Sequence, residues 1–199
     1  MNETIKSTLP VETHPFAPFL PEKAKILILG SFPPKKERWS MDFFYPNFNN
    51  DMWRIFGLVF FNDKDRFIAK DGKHFDKKAI IDFCGKTGIA LYDTAYRAVR
   101  LKDNASDKFL DIVEHAPIAE MLERLACCNT IAATGQKAAE SVSAMYGCPM
   151  PAVGCHEMIN ASGRELSFYR LPSTSRAYPM KLEDKAAVYG NFLKDRLGL

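Results

Sequence analysis

The sequence predicts an α/β fold in which a four-stranded, mainly parallel sheet lies between two layers of helices. Four short apolar runs are typical of buried strands, and stretches with helical spacing separate them along the chain. Strands joined through helices form parallel sheets by right-handed crossovers, which place helices on both faces. No repeat or change of composition marks a boundary, so we expect residues 1–199 to form one domain, a three-layer sandwich.

The predicted elements follow from local patterns. Residues 1–22 contain four prolines, which exclude a regular helix and predict an extended leader. Trp53, Phe56 and Phe60 recur at helical spacing, which indicates a helix with Trp53 in the core. Strands are predicted at residues 25–29, 88–93, 130–135 and 165–172; helices at residues 51–60, after Pro117, at residues 136–145 and from Leu182 onward; and a surface loop or irregular helix at residues 62–78.

Composition excludes several classes of protein. Apolar residues make up 47% of the chain and charged residues 26%, as in an ordinary globular protein. No run approaches the roughly 18 apolar residues of a membrane helix, and the N-terminus lacks a signal-peptide pattern, so we expect a cytoplasmic protein. The five cysteines include no CxxC pair and the histidines are scattered, so no metal or other cofactor is expected. The net charge of +3 neither predicts nor excludes a nucleic-acid partner.

The segments that leave the four strands are polar or contain glycine. In open parallel sheets, ligands bind beyond the carboxyl ends of the strands, so we expect a site at this edge. The first of these segments continues into a loop, residues 31–53, that is rich in aromatic residues. Such a loop either folds back over the core or stacks on a flat ligand.

Four segments together resemble the uracil-DNA glycosylase superfamily, and most closely its hypoxanthine or mismatch-type branch: HPFAPFLPEKAKILILGSFP, FFYPNFNNDMW, GIALYD and LPSTS. The resemblance extends from about His14 to the last helix. It implies a four-stranded parallel sheet with helices on both sides, and enzymes that cut the bond between a damaged or mismatched base and its sugar in DNA. A monomer without a cofactor is expected.

The resemblance also assigns residues to the base. Ser31 stands where other branches place an acid or amide, and Asn50, three residues before Trp53, is the expected catalytic group that positions water or stabilises charge. A helix N-cap is the alternative role for Asn50. Tyr45 is expected to stack on the base, with Phe32 as the alternative platform. The base pocket is therefore expected to contain Gly30, Ser31, Phe32, Tyr45 and Asp93.

Asp93 takes the place of an asparagine that reads the base edge elsewhere in the superfamily. A carboxylate accepts hydrogen bonds only, so it suits a ring N–H. Capping of the next turn is the alternative. Leu171 occupies the place of a histidine that stabilises the leaving base in other members. The residues expected to contact DNA phosphates, or to form a wedge that fills the space left by the flipped base, are Gln136, Lys137, Ser173, Thr174, Ser175 and Arg176. The alternative is an ordinary Ser/Thr turn with charged side chains that are only solvated.

These assignments predict a monofunctional DNA glycosylase that removes a deaminated base, uracil or hypoxanthine, flipped out of DNA. Two other classes stay open. One is a non-catalytic nucleic-acid-binding member of the same fold, since the acid after the first strand and the histidine after the last strand are both absent. The other is a hydrolase with Ser31 or Ser175 as nucleophile, which the lack of a GxSxG elbow disfavours.

Overall fold

A five-stranded sheet forms the centre of the computed structural model, which describes residues 9–102 and 109–198. Four of its strands are parallel and correspond to the four predicted strands, whereas the fifth pairs antiparallel at one edge. The prediction of four strands was therefore one short. In order across the sheet, the strands are β3 (Ile89–Asp93), β2 (Ile26–Gly30), β6 (Thr130–Thr134), β8 (Arg164–Leu171) and β7 (His156–Ala161).

The first three strands in this order are buried at every position. β2, β3 and β6 have apolar residues at nearly every position because both faces of a parallel sheet are covered. β7 differs, since His156, Glu157 and Met158 are all exposed. An edge strand with polar side chains shows no apolar run, which explains why the sequence did not predict it.

Within the described residues, five helices cover the sheet: α1 (Met52–Phe61), α2 (Lys77–Thr87), α3 (Ile118–Arg124), α4 (Gln136–Tyr146) and α5 (Leu182–Leu197). Because the crossovers of parallel strands are right-handed, α1 and α2 lie on one face and α3 and α4 on the other, and α5 packs against α1. The predicted helices are confirmed, and their observed ends differ from the predicted ends by one or two residues. Helix α2 was not predicted, and its first two residues belong to the stretch predicted as a loop.

A second, three-stranded antiparallel sheet lies beside the first. Its order is β1 (Val11–Thr13), β4 (Ala95–Arg100) and β5 (Leu110–His115), and the sequence predicted none of these strands. β1 belongs to the predicted leader, whose described residues 9–22 form no helix, and Phe19 of the same segment pairs with Leu91 of β3. Residues 1–8 of the leader lie outside the described residues.

The core lies between the helices and the main sheet. Trp53 is fully buried, as predicted, and its indole Nε1 donates to the carbonyl of Phe44 at 3.2 Å. Within the described residues, no helix combines the length and the apolar character needed to cross a bilayer.

Candidate functional site

A cavity of about 140 Å³ opens at the carboxyl ends of the parallel strands, the edge where the sequence predicted a site. In another protein, an engineered cavity of about 150 Å³ accommodates benzene, so the volume suits one aromatic ring. The predicted site residues that line the cavity are Gly30, Ser31, Phe32, Tyr45, Asn50, Asp93, Ser173, Thr174 and Ser175, whereas Gln136, Lys137, Arg176 and Leu171 are not among its lining.

The aromatic loop contributes both to the core and to the cavity. Phe43 and Phe44 are buried, whereas Tyr45 and Phe32 are half-buried at the cavity wall. The backbone of Tyr45 has a φ of 51°, in the left-handed region that bulky residues rarely adopt. Such strain persists only where surrounding contacts fix it, and the Tyr45 hydroxyl bonds Thr134 Oγ1 at 2.9 Å. The loop therefore holds Tyr45 against the end of β6.

Asn50 lies at the start of α1 with one side of its amide engaged. Its Oδ1 accepts the Met52 N–H at 2.8 Å, which supports the first turn of the helix although Asp51 is the N-cap position. Within the described residues, its Nδ2 makes no hydrogen bond, and the side chain lines the cavity. Asn50 therefore combines the capping contact with a free amide donor at the site.

A buried ion pair joins the start of α1 to the loop after β8. Lys185 of α5 is fully buried, and its Nζ donates to Asp51 Oδ2 at 2.9 Å and to the Ser175 carbonyl at 2.8 Å. The backbone reinforces this connection, because the Asp51 N–H donates to the Thr174 carbonyl at 2.9 Å and Asn50 bridges Ser175. The sequence did not predict this link, which fixes Asn50 and the Ser173–Ser175 turn relative to each other.

Arg176 is held by the same cluster. Its Nε lies 3.2 Å from Asp51 Oδ1 and its Nη1 donates to Asn49 Oδ1 at 3.2 Å, while half of the side chain stays exposed. The residue predicted to contact phosphate or to form a wedge thus lies at the rim, outside the cavity lining. Its exposed half leaves donors available to a ligand at the rim.

A second arginine, Arg54, stabilises the asparagine-rich part of the loop through contacts with its backbone. Arg54 of α1 donates to the carbonyls of Phe48 and Asn50, at 2.7 and 3.2 Å, and its guanidinium stacks on the rings of Phe48 and Phe75. Burial, followed by the repulsion of Arg176, lowers the pKa of Arg54 from its usual value. These contacts determine the backbone path that leads to Asn50.

Asp93 meets a histidine that the sequence reasoning left without a role. His14 Nε2 lies 2.8 Å from Asp93 Oδ2, and both side chains are buried. A Cβ at Gly30 would lie 2.2 Å from Asp93 Oδ1, so only glycine leaves room for this carboxylate. The partners are 79 positions apart, and no sequence spacing points to such a pair.

Arg100 of β4 is a further cavity residue that the sequence reasoning missed. Its Nε donates to Glu12 Oε1 at 2.8 Å, a second nitrogen donates to the Pro33 carbonyl, and the guanidinium lies over the ring of Phe32. Arg100 and Asp93 are the charged residues of the cavity lining within the described part of the chain. The site therefore contains one fixed cation and one carboxylate.

The start of α4 lies beside the rim. Gly135 has a φ of 98°, and a Cβ there would lie 3.3 Å from Cβ of Ser173, so the helix N-terminus approaches the Ser173–Ser175 turn closely. Gln136 is exposed and donates to Glu140 at 2.8 Å, and Lys137 is half-buried. These residues flank the cavity from outside.

Comparisons with known proteins identify the fold. No protein-family model matches the chain, and no curated protein matches it either. Solved structures do match, among them a protein from Methanosarcina acetivorans, determined by solution NMR and provisionally described as a uracil DNA glycosylase. That match covers 93% of this chain and 99% of the other, with a TM-score of 0.61 at 22% sequence identity. The chain therefore has a uracil-DNA glycosylase-like α/β fold with a mainly parallel five-stranded sheet.

Proposed function

We propose that the protein is a monofunctional DNA glycosylase that hydrolyses the N-glycosidic bond of a deaminated base, uracil or hypoxanthine, in base-excision repair. One observation carries the proposal: a cavity with the volume of a single ring lies at the strand ends and combines aromatic, amide and carboxylate side chains. A base in a duplex is out of reach of an enzyme, so a cavity of this size implies that the nucleotide is flipped into it.

The lining residues supply the groups that this chemistry needs. Cleavage builds positive charge on the sugar and negative charge on the departing base, as in other glycoside hydrolyses. Tyr45 or Phe32 offers a face on which the base stacks, worth about 1–3 kcal/mol. Asn50 has a free amide donor for the water or for developing charge, and Asp93 accepts a hydrogen bond from the ring edge.

The rim suits the flanking DNA strand. Ser173, Thr174 and Ser175 line the mouth of the cavity, and the N-terminus of α4 with Lys137 lies beside them. Helix N-termini and hydroxyl-rich turns bind phosphate, because their N–H and O–H groups point outward. We propose that this rim holds the phosphates on either side of the flipped nucleotide.

A panel of oligonucleotides, each with one lesion, tests the activity. We expect alkali-labile sites from strands that contain uracil or hypoxanthine and none from undamaged strands. The product is expected to be an intact abasic strand, because no lysine lines the cavity within the described residues. Borohydride trapping of a covalent protein–DNA adduct during turnover would contradict hydrolysis by water.

A non-catalytic DNA-binding role is the second candidate, and two observations favour it. The Oδ1 atom of Asn50 is already engaged by the Met52 N–H, and Leu171, at the place of the superfamily histidine, is fully buried. A binder would retain lesion-containing strands in a gel-shift experiment and release no free base. Single-turnover release of labelled base separates the two functions.

A further inference from the structure

We propose that His14 is a positioning residue that holds Asp93 as an ionised hydrogen-bond acceptor for the flipped base. The inference rests on the proposed function for its substrate, but the pair itself is a property of the folded chain. His14 belongs to the segment just after β1, and Asp93 ends β3, so two separate sheets meet at this contact.

The histidine ring has little freedom to move. Its Nε2 lies 2.8 Å from Asp93 Oδ2. Tyr92 lies against it at 4.4 Å between ring centroids, Phe32 meets it edge-on at 5.6 Å, and Phe16 meets it edge-on at 5.9 Å. An imidazole enclosed in this way keeps one orientation, and so does the carboxylate that it contacts.

The second ring nitrogen explains why the proton stays on Nε2. Nδ1 lies 3.2 Å from the N–H of Phe16 and 3.0 Å from its carbonyl. In the neutral ring Nδ1 accepts that N–H, so Nε2–H donates to Asp93. If the pair gains a proton, Nδ1–H donates to the Phe16 carbonyl and Nε2–H still donates to the carboxylate. In either form of the ring, Nε2–H donates to Asp93 Oδ2.

The other carboxylate oxygen is available to a ligand. Asp93 Oδ1 lies over Gly30, whose backbone forms part of the cavity, and the side chain retains 10% exposure. Within the described residues, Oδ1 receives no hydrogen bond. A base in the cavity therefore meets a fixed acceptor that already has its other oxygen satisfied.

This arrangement distinguishes a deaminated base from its amino-bearing parent by the hydrogen on the ring nitrogen. Uracil and hypoxanthine carry a ring N–H beside a carbonyl and donate to Oδ1. Cytosine and adenine present a bare nitrogen at the same edge, which sets a lone pair against an anion. Sites that require one hydrogen bond reject an analogue that lacks it by large factors, because a buried polar group is left unpaired.

Few other groups near the pair change charge in the working range of pH. Burial, followed by the charge of Asp93, raises the pKa of Tyr92 to about 12, so that phenol stays neutral. The Tyr45 hydroxyl lies near Gly30, and Arg100 on β4 pairs with Glu12 on β1. Arginine stays charged, so the other ionisable groups that face the site are His14, Asp93 and Glu12.

The experiment compares two substitutions of His14 by single-turnover kinetics on a uracil-containing strand across pH. H14Q keeps an N–H donor, and we expect a rate within about threefold of wild type. H14F keeps the ring but loses the donor, which favours the neutral form of a buried carboxyl group. We therefore expect the acid-side fall in rate to move up by about one to three pH units, with DNA affinity unchanged.

Controls separate this role from a structural one. H156F changes an exposed histidine that stacks on Tyr169 outside the cavity, and we expect an unaltered pH profile. In a D93N background H14F is expected to have no further effect, because His14 acts through Asp93. Equal pH profiles for H14F and wild type, or additive losses in the double variant, would overturn the proposal.

A spectroscopic measurement tests the pair without any activity. Imidazole nitrogen shifts in ¹⁵N-labelled wild-type protein are expected to show a protonated Nε2 throughout the titration. A bare Nε2 would overturn the proposal even if H14F does not fold. If the wild-type protein releases no base but Nε2 is protonated, the proposed function fails and the positioning of Asp93 stands.

Discussion

Asn50 is the residue at which the capping role and the proposed catalytic role separate most clearly. Its Oδ1 supports the first turn of α1, and its Nδ2 is free at the cavity within the described residues. The two contacts use different atoms of one amide. Substitutions that remove both atoms, or only the donor, therefore report on different roles.

We expect Asn50→Ala to lower the single-turnover rate by roughly 10²-fold or more, the scale of a lost positioned group. Loss of the capping contact should cost about 1 kcal/mol of unfolding free energy. Asn50→Asp retains an oxygen for Met52 and for water but loses the donor, so it should fold normally and stay active only if water positioning is the main role. Urea unfolding and single-turnover kinetics on each variant give both quantities.

Asp76→Ala is the matched control for capping. Asp76 caps α2 by accepting the Ala79 N–H at 3.0 Å, and it is not among the cavity residues. It should cost a similar free energy of unfolding and leave the rate unchanged. A folded Asn50→Ala enzyme that keeps the wild-type rate would remove Asn50 from the mechanism.

Individual residues were predictable from the sequence where a local motif marked them. Asn50, Tyr45 and Asp93 follow strands or precede a helix within recognisable segments, and all three line the cavity. Arg100 was not predictable, because its strand belongs to a small sheet without an apolar pattern. Lys185 lies in an amphipathic helix, where a lysine ordinarily predicts a solvated position.

Elements were predictable to the extent that burial dictated their composition. The strands β2, β3 and β6 have apolar runs because both of their faces are covered. α2 has only a narrow buried stripe of Ile80, Phe83 and Cys84 among charged residues, and the sequence reasoning took part of it for a loop. β4 and β5 form a separate sheet with few buried positions, so period-two alternation is weak there.

The connection between α1, α5 and the loop after β8 depends on one buried ion pair. Lys185 contacts both Asp51 and the Ser175 carbonyl. We expect Lys185→Met to destabilise the fold by about 3–5 kcal/mol, because it leaves the buried Asp51 carboxylate without its buried partner. Urea unfolding measures this change.

Two variants delimit that prediction. The double variant Asp51→Asn with Lys185→Met removes both charges and should recover part of the lost free energy. Lys194→Met changes an exposed lysine of the same helix and should stay within about 0.5 kcal/mol of wild type. A Lys185→Met protein as stable as Lys194→Met would show that the ion pair contributes nothing to the fold.

At the scale of the whole molecule, 27 basic and 24 acidic residues nearly balance, so long-range attraction to DNA is weak. The proposed binding of DNA must then depend on a few cations close to the cavity. Lys137 and Arg176 flank the rim, whereas Lys86 lies near the end of α2, beside the amino ends of the strands and away from the cavity. Under the proposed function, the position of a lysine rather than the net charge decides whether it contacts DNA.

We therefore expect the affinity for DNA to fall only shallowly as the salt concentration rises, as for about three to four neutralised phosphates. For a duplex this corresponds to a slope of about −2.7 to −3.6 when the logarithm of the association constant is plotted against the logarithm of the salt concentration. Lys137→Met should reduce the magnitude of that slope by about 1, because it removes one phosphate contact. Lys86→Met has the same charge change on the opposite edge of the sheet and should leave the slope unaltered. Fluorescence anisotropy at several salt concentrations gives the three slopes. A wild-type slope near zero would contradict DNA binding at this rim, and equal effects of the two substitutions would show that general charge, rather than the rim, attracts the strand.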